Sequence, residues 1–204
     1  MKQFILGLDI GYSNLKIAMG FKGGHVTTTV LPVGAGPLAL MPQQLTGGEG
    51  NCIQVVIDDE KWVAGVEPDR LQGWNRELHD DYPATKPYKA LFYAALLLSE
   101  QKEIDVLVTG LPVSQFMNPE LREALKKRLE GEHQITPKRS VTVKSVVVVP
   151  QPAGAYMDIV SSTKDEGLLE VLREGKTVVI DPGFFSVDWV ALEEGEVRYH
   201  SSGT

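Results

Sequence analysis

A strand-turn-strand pattern occurs twice in this chain, as ILGLDIGYSNLKIA near its start and as TVVIDPGFFSVDWVA near its end. In each copy an apolar strand leads to Asp-x-Gly, the turn that follows holds a polar or small residue, and a charged residue stands seven positions after the aspartate. The pairs are Asp9 with Lys16 and Asp181 with Asp188. A chain that carries one supersecondary unit twice is confined to folds that use that unit twice.

The spacing has a chemical reading. A glycine at the tip of such a turn lets backbone N–H groups approach an anion closely, which is how concave turns hold phosphate. The preceding aspartate does not bind phosphate directly, but it can orient the waters of a hydrated Mg²⁺. Lys16 then offers a compact positive charge to a phosphate oxygen. Two such turns facing one another would grip a nucleotide phosphate chain from both sides. One Asp-x-Gly between strands is ordinarily only a turn, so the matched pair carries the argument.

Composition narrows the classes. With 204 residues the chain is long enough to bury a real core, and its 43% hydrophobic and 23% charged content is ordinary for a soluble globular protein. A formal charge of −7 argues against a chain that coats nucleic acid, because that affinity comes from clustered Lys and Arg. The single cysteine, Cys52, excludes an internal disulfide and a cysteine-based zinc site. His25, His79, His133 and His200 show no ligand spacing. Asp9 interrupts the first apolar run before it reaches signal-peptide length, and no later run is long enough to span a bilayer. These features predict a cytoplasmic protein with no membrane contact and no direct nucleic-acid contact.

Along the chain, Phe4 to Gly20 and the following HVTTTVLPVG read as strands joined at Gly23-Gly24, and Gly34 to Gly50 reads as an irregular loop. NCIQVVIDDEKWVAGVEPDR is a hairpin about Asp58-Asp59-Glu60, and Arg70 to Pro87 is a polar connection. YKALFYAALLLSEQ is apolar nearly all round, as a helix packed on several sides must be. IDVLVTGLP is a buried strand. NPELREALKKRLEGEHQI is a helix with Asn118 as N-cap, Pro119 at its first position, Leu121, Leu125 and Leu129 on one face, and Gly131 at its end. SVTVKSVVVV is one strand stopped by Pro150, and Gly154 to Val160 and Asp165 to Arg173 are helical. The final KTVVIDPGFFSVDWVALEEGEVRYHSS is a hairpin with Gly195 in its turn. Strands alternating with helices give an α/β class with a mixed sheet.

At DIGYSNLKIA and VVIDPGFFSVDWV the sequence resembles the two phosphate loops of the actin, heat-shock chaperone and sugar kinase superfamily. Within it the chain is most similar to actin-like proteins of the plasmid-segregation (ParM/StbA) type. VTGLPVSQF resembles the strand and turn those proteins carry before a helix, and VVVPQPAGAYMDIV resembles the segment connecting their lobes. The resemblance implies an actin-like, ribonuclease H-like ATPase lobe with a mixed sheet and flanking helices. It implies a first lobe over residues 1–175, with a loop and hairpin insertion at about 34–87, and a truncated second lobe beginning with the hairpin at 176–204.

Carried over residue by residue, the resemblance implies that Asp9 and Asp181 organise Mg²⁺ through water while Lys16 contacts the phosphates of ATP. Gly11, Tyr12, Ser13 and Asn14 in the first turn, and Gly183, Phe184, Phe185 and Ser186 in the second, would wrap the phosphate chain, with Asp188 beside them. Gln151 falls where the family places the residue that positions the attacking water. A neutral amide orients a water but is a poor proton acceptor, which suits slow hydrolysis. The plain alternative for Gln151 is a polar residue starting a helix after Pro150. Pro182 removes one amide donor from the second loop, and its two phenylalanines replace small residues.

The expected whole is a filament-forming ATPase that segregates plasmids through a DNA-bound adaptor, with hydrolysis destabilising the filament. The chain by itself, lacking the adenosine contacts of a second lobe, is expected to bind ATP weakly and to be inactive. A small-molecule kinase of the same superfamily and a non-hydrolysing actin-fold scaffold are the alternatives, although GLPVSQF offers no catalytic aspartate for the kinase. Trp74, in the polar connection, is a candidate for a filament or adaptor contact. The apolar face of the last hairpin, with Val179, Val187 and Val190, is expected either to fold back on the chain or to pair with a second copy.

Overall fold

Alternation decides the first element. Along FILGLDI every second residue is buried, Phe4, Leu6, Leu8 and Ile10, which is the period of a strand with one face in a core. The computed structural model describes residues 2–42, 52–73, 81–184 and 187–203. β1 (Phe4–Ile10) turns back into β2 (Asn14–Phe21), and β3 (Thr27–Pro32) follows antiparallel to β2. The turn of the first strand-turn-strand unit falls at Gly11–Ser13, where polar residues interrupt the apolar alternation.

The remaining elements are β4 (Gly34–Pro37), β5 (Ile53–Ile57), β6 (Glu60–Val66), α1 (Lys86–Leu98), β7 (Glu103–Ile104), β8 (Val106–Leu111), α2 (Val113–Phe116) and α3 (Pro119–Leu129). Then come β9 (Gly131–Thr136), β10 (Arg139–Val143), β11 (Val146–Pro150), α4 (Gln151–Ser162), α5 (Glu166–Glu174), β12 (Lys176–Pro182), β13 (Val187–Glu193) and β14 (Glu196–Gly203). The chain divides into two compact units, Met1–Val108 with Lys127–Val147, and Thr109–Lys126 with Val148–Thr204. The mixed α/β class is as expected. No helix among the described residues is long and apolar enough to cross a membrane.

The first unit holds the five-stranded sheet ordered β11-β8-β1-β2-β3, whose β8 and β11 run on into the second unit, and the three-stranded sheets β4-β6-β5 and β7-β10-β9. α1 packs on β4, β5, β6 and β9. Its residues from Ala90 to Leu96 are all buried, as an all-round apolar helix requires. Thr85 caps it by accepting from the Tyr88 amide at 3.3 Å.

Two expectations are corrected here. The expected irregular loop from Gly34 begins with a strand, because β4 pairs with β6; residues 43–51 lie outside the described residues. The helix ends before Gly131, as expected, and Gly131–Thr136 is β9, antiparallel to β10. SVTVKSVVVV is two strands in two sheets, β10 with β7 and β9, and β11 beside β8. The break falls at Lys144, whose ammonium reaches Glu103 and Asp105, both at 3.0 Å.

In the second unit β12, β13 and β14 form an antiparallel meander. Val113, Tyr156, Leu172, Val190 and Leu192 form its buried core, with Val160 and Val179 against it. The Tyr156 hydroxyl donates to the Leu172 carbonyl at 2.6 Å, tying α4 to α5. Asp165 caps α5 by accepting from the Leu168 amide at 3.1 Å. The face carrying Val179 and Val190 therefore has a partner within the unit, the fold-back outcome, whereas Val178, Ile180 and Val187 on the other face are exposed. α4 and α5 share this core with β12 and β13.

Candidate functional site

In the first unit the β1–β2 register places Asp9 directly opposite Lys16 and Ile10 opposite Leu15. The turn between them is closed by the Gly11 amide donating to the Asn14 carbonyl at 3.0 Å, and Asn14 Nδ2 donates to Ser13 Oγ at 3.0 Å. Tyr12 leaves the turn sideways and stacks on the Tyr82 ring, centroid to centroid 5.0 Å. Lys16 Nζ lies 3.1 Å from Asp9 Oδ2, and the lysine side chain is 61% exposed. A strand places a carboxylate and an ammonium at the two ends of one turn because cross-strand neighbours of opposite charge attract. The pair holds a cation at the mouth of a glycine turn, where an anion can reach it.

In the second unit the β12–β13 register repeats this arrangement: Asp181 lies opposite Asp188 and Pro182 opposite Val187. The sequence repeat is therefore a structural repeat, residue for residue at the mouth of the turn. The Gly183 amide donates to the Asp181 carbonyl at 3.1 Å, Asp181 is half-buried, and Phe184 is 62% exposed. Phe185 and Ser186 lie outside the described residues.

Asp188 has a different use from Lys16. It is buried, 4% exposed, and its Oδ1 accepts from the Val113 amide at 3.1 Å. Val113 is the first residue of α2, whose N-cap is Pro112 and provides no side-chain acceptor. The orphan amide of that helix end is satisfied by a carboxylate 75 residues away in sequence. Parity explains the burial: Asp188 shares its side of β13 with Val190 and Leu192, which enter the core.

Gln151 is the first residue of α4. A Cβ at Gly110 would stand 2.7 Å from Gln151 Cγ, so β8 must carry a glycine there for the glutamine to lie where it does. Sequence reasoning took the glycine of VTGLP only as a turn residue and took Asp188 as a counterpart of Lys16. The signal for the first was proximity to a segment 41 positions later, which no local pattern contains. For the second, the in–out alternation of VDWVAL was legible but was not applied to the aspartate.

The donor set can be tested against a nucleotide and its metal. The first turn combines an exposed ammonium, a glycine and polar side chains, which fits a phosphate group. The second turn offers the Gly183 backbone without a cation at the Asp188 position. Asp9 in the first unit and Asp181 in the second are each half-buried, and one carboxylate by itself is fewer than a protein cage for Mg²⁺ needs.

Comparison with known proteins follows the same lines. Residues 7–154 match the family described as actin like proteins, N terminal domain. The solved structure of the apo pSK41 ParM protein is similar with a TM-score of 0.73 at 19% identity, over 99% of this chain and 66% of that one. The Alp12 filament structure is similar at 0.66 and 14%, over 100% of this chain and 61% of that one. The archaeal actin homologue Ta0583 in complex with ADP is similar at 0.66 and 21%, over 96% and 56%. The chain spans less than two thirds of the length of each of these structures. No curated protein matches it. With its fold that of ParM and its relatives, and with the family match running from β1 into α4, the chain belongs to the actin-like proteins, as their N-terminal domain.

Proposed function

We propose that this chain provides the phosphate-binding hairpins of a filament-forming, actin-like ATPase that works in plasmid segregation. The observation that carries the reading is the shared register of two Asp-x-Gly hairpins, Asp9 opposite Lys16 and Asp181 opposite Asp188, in a member of the actin-like family. Similarity to one structure described as a filament and to another described as an ADP complex supports assembly and nucleotide binding.

Bound ATP with Mg²⁺ would supply the phosphoryl group to be transferred to water. Lys16, already held over its turn by Asp9, donates to a phosphate oxygen with little side-chain ordering left to do. The turn at Gly11 to Asn14 and the turn at Gly183 would each offer backbone to phosphate oxygens. Asp9 and Asp181 would be the residues to hold Mg²⁺ through its waters, and the ion would supply charge compensation for the phosphates. Gln151 orients the attacking water through its amide and leaves the proton to solvent, so the chemical step is slow. Self-association and a DNA-bound adaptor complete this reading, with the cytoplasm as its setting.

A second reading, an assembly scaffold that binds nucleotide without turnover, is favoured by the second hairpin, where Pro182 lacks an amide donor and Asp188 is committed to α2. Light scattering and phosphate release, measured on the protein as its gene encodes it, test both. ATP-dependent scattering with phosphate release is the expected result. Scattering without release selects the scaffold, and the absence of both overturns the proposal.

A further inference from the structure

The first unit contains a cavity of about 410 Å³ that none of Asp9, Gly11 to Asn14 or Lys16 lines. It is built where the N-terminus of α1, the β5–β6 turn, the end of α3 and the start of β9 meet. Its volume falls in the range of small-molecule sites rather than of peptide grooves. The apolar part of the wall is aromatic: the His133 ring stands edge-on to Phe92 at 5.0 Å and to Tyr93 at 5.8 Å. Phe92 and Leu129 are buried beneath it. His133 Nε2 lies 2.9 Å from the Leu129 carbonyl, which only accepts, so Nε2 carries the proton. Burial pushes the His133 pKa below its usual value, which keeps this wall uncharged at neutral pH.

The charged part of the wall has the opposite sign to the chain as a whole. Lys86, Lys89 and Arg128 share the wall with one carboxylate among the described lining residues, Asp58, in a protein of formal charge −7, and Glu60 acts on Lys86 from outside the wall. Asp58 and Asp59 have φ of 51° and 63°, the two left-handed residues of a tight hairpin turn between β5 and β6. That turn delivers the Asp58 carboxylate to Lys86 Nζ at 2.9 Å and Lys89 Nζ at 4.0 Å. Lys89 also lies 5.5 Å from the centre of the Tyr93 ring, and Arg128 Nη1 donates to the Pro83 carbonyl at 2.7 Å. Three cations against one exposed lining carboxylate, which pairs with Lys86 and Lys89, focus anions on an aromatic cavity.

We propose that this cavity is a binding site for a small organic anion, a carboxylate or phosphate ester on an aromatic or short apolar body. Its charge sits among Lys86, Lys89 and Arg128, its body lies against Tyr93 and His133, and Asp58 occupies the anion position until the ligand displaces it. The site is separate from the nucleotide reading and does not rest on it.

The test uses the 204-residue chain, ¹⁵N-labelled, titrated with phenyl phosphate, with benzoate and with neutral benzyl alcohol. Saturable shifts at Tyr93 and His133 are expected with at least one anion, and the stronger of the two identifies the head group. Binding should weaken with added salt for the anion and stay constant for the alcohol. Lys89→Ala with Arg128→Ala should weaken the anion by about tenfold, and Asp58→Asn should tighten it. The salt series on the unaltered chain keeps the test decisive should the double variant be disturbed. The proposal is overturned if no anion saturates, if the alcohol binds as tightly, or if salt has no effect. Asp58→Asn binding no more tightly overturns the role given to Asp58.

Discussion

At the mouth of the β1–β2 turn Asp9 faces Lys16; at the mouth of the β12–β13 turn Asp181 faces Asp188. The backbones agree in register, and the chemistry at one position is reversed. Opposite charges across a strand pair attract, whereas two carboxylates directly opposite repel. In the second hairpin both carboxylates lie on the side that carries Val179 and Val190; Asp188 is buried and accepts from the Val113 amide, and Asp181 is half-buried. One copy of the unit keeps both charged groups outside the core, paired with each other. The other spends one of them on anchoring α2. The two copies thus share the path of the chain and differ in the roles of their side chains.

The largest effect expected from this difference concerns turnover. In the protein as its gene encodes it, Asp181→Ala should lower phosphate release by about a thousandfold, the scale of losing charge compensation along a triphosphate. Gln151→Ala, which removes the positioning of one water, should cost less. Equal release rates in the two variants would break the assignment of roles.

The second effect is on stability and isolates Asp188. Asp188→Ala removes a buried charged acceptor and strands the Val113 amide, at a cost of about 2 kcal/mol. Asp188→Asn keeps an acceptor oxygen and should cost less than half of that. Urea unfolding of the 204-residue chain measures both. An Asp188→Ala midpoint indistinguishable from that of the unaltered chain would mean that the two hairpins do not differ in the way described.

A smaller effect is expected at Gly110. Its substitution by alanine puts a Cβ against Gln151 Cγ, which a rotamer change relieves. Stability should fall by about 1 kcal/mol or less while phosphate release falls roughly tenfold through misplacement of the glutamine. Unchanged release would remove Gln151 from the water-positioning role, because its side chain would have moved without consequence.

What was legible in the sequence followed from local rules. The two hairpins, α1, the Asn118 cap, whose Oδ1 accepts from the Glu120 amide at 2.9 Å, and α5 were each set by alternation, capping or turn chemistry within a few residues. The elements that were missed depend on partners far away in sequence. β4 is a strand only because β6 lies beside it, and SVTVKSVVVV divides because its halves pair in different sheets. The same limit applies to the site. Asp9 with Lys16 could be read as a pair seven residues apart, but Asp188 needed Val113 and Gln151 needed Gly110. Trp74 and its suggested contact lie outside the described residues.

The smallest effect sharpens the comparison most, because it is expected to be nearly nil. Lys16 and Asp9 are exposed, 61% and 37%, and an exposed ion pair gains little over its hydrated parts while ordering a long side chain. Lys16→Met keeps the aliphatic stem on β2 and removes only the charge. The urea midpoint of the 204-residue chain should therefore shift by less than about 0.5 kcal/mol, with no dependence on salt beyond that of the unaltered chain. If the lysine is there for the fold, its loss will show in that measurement, and the first hairpin will then resemble the second in using its charged residue structurally. If it is there for a ligand, stability will hold while nucleotide binding by the protein as its gene encodes it weakens, since a compact cation at a phosphate contributes affinity that a thioether does not replace. The pair of measurements separates a charge held for folding from a charge held for binding, which the shared register alone does not distinguish.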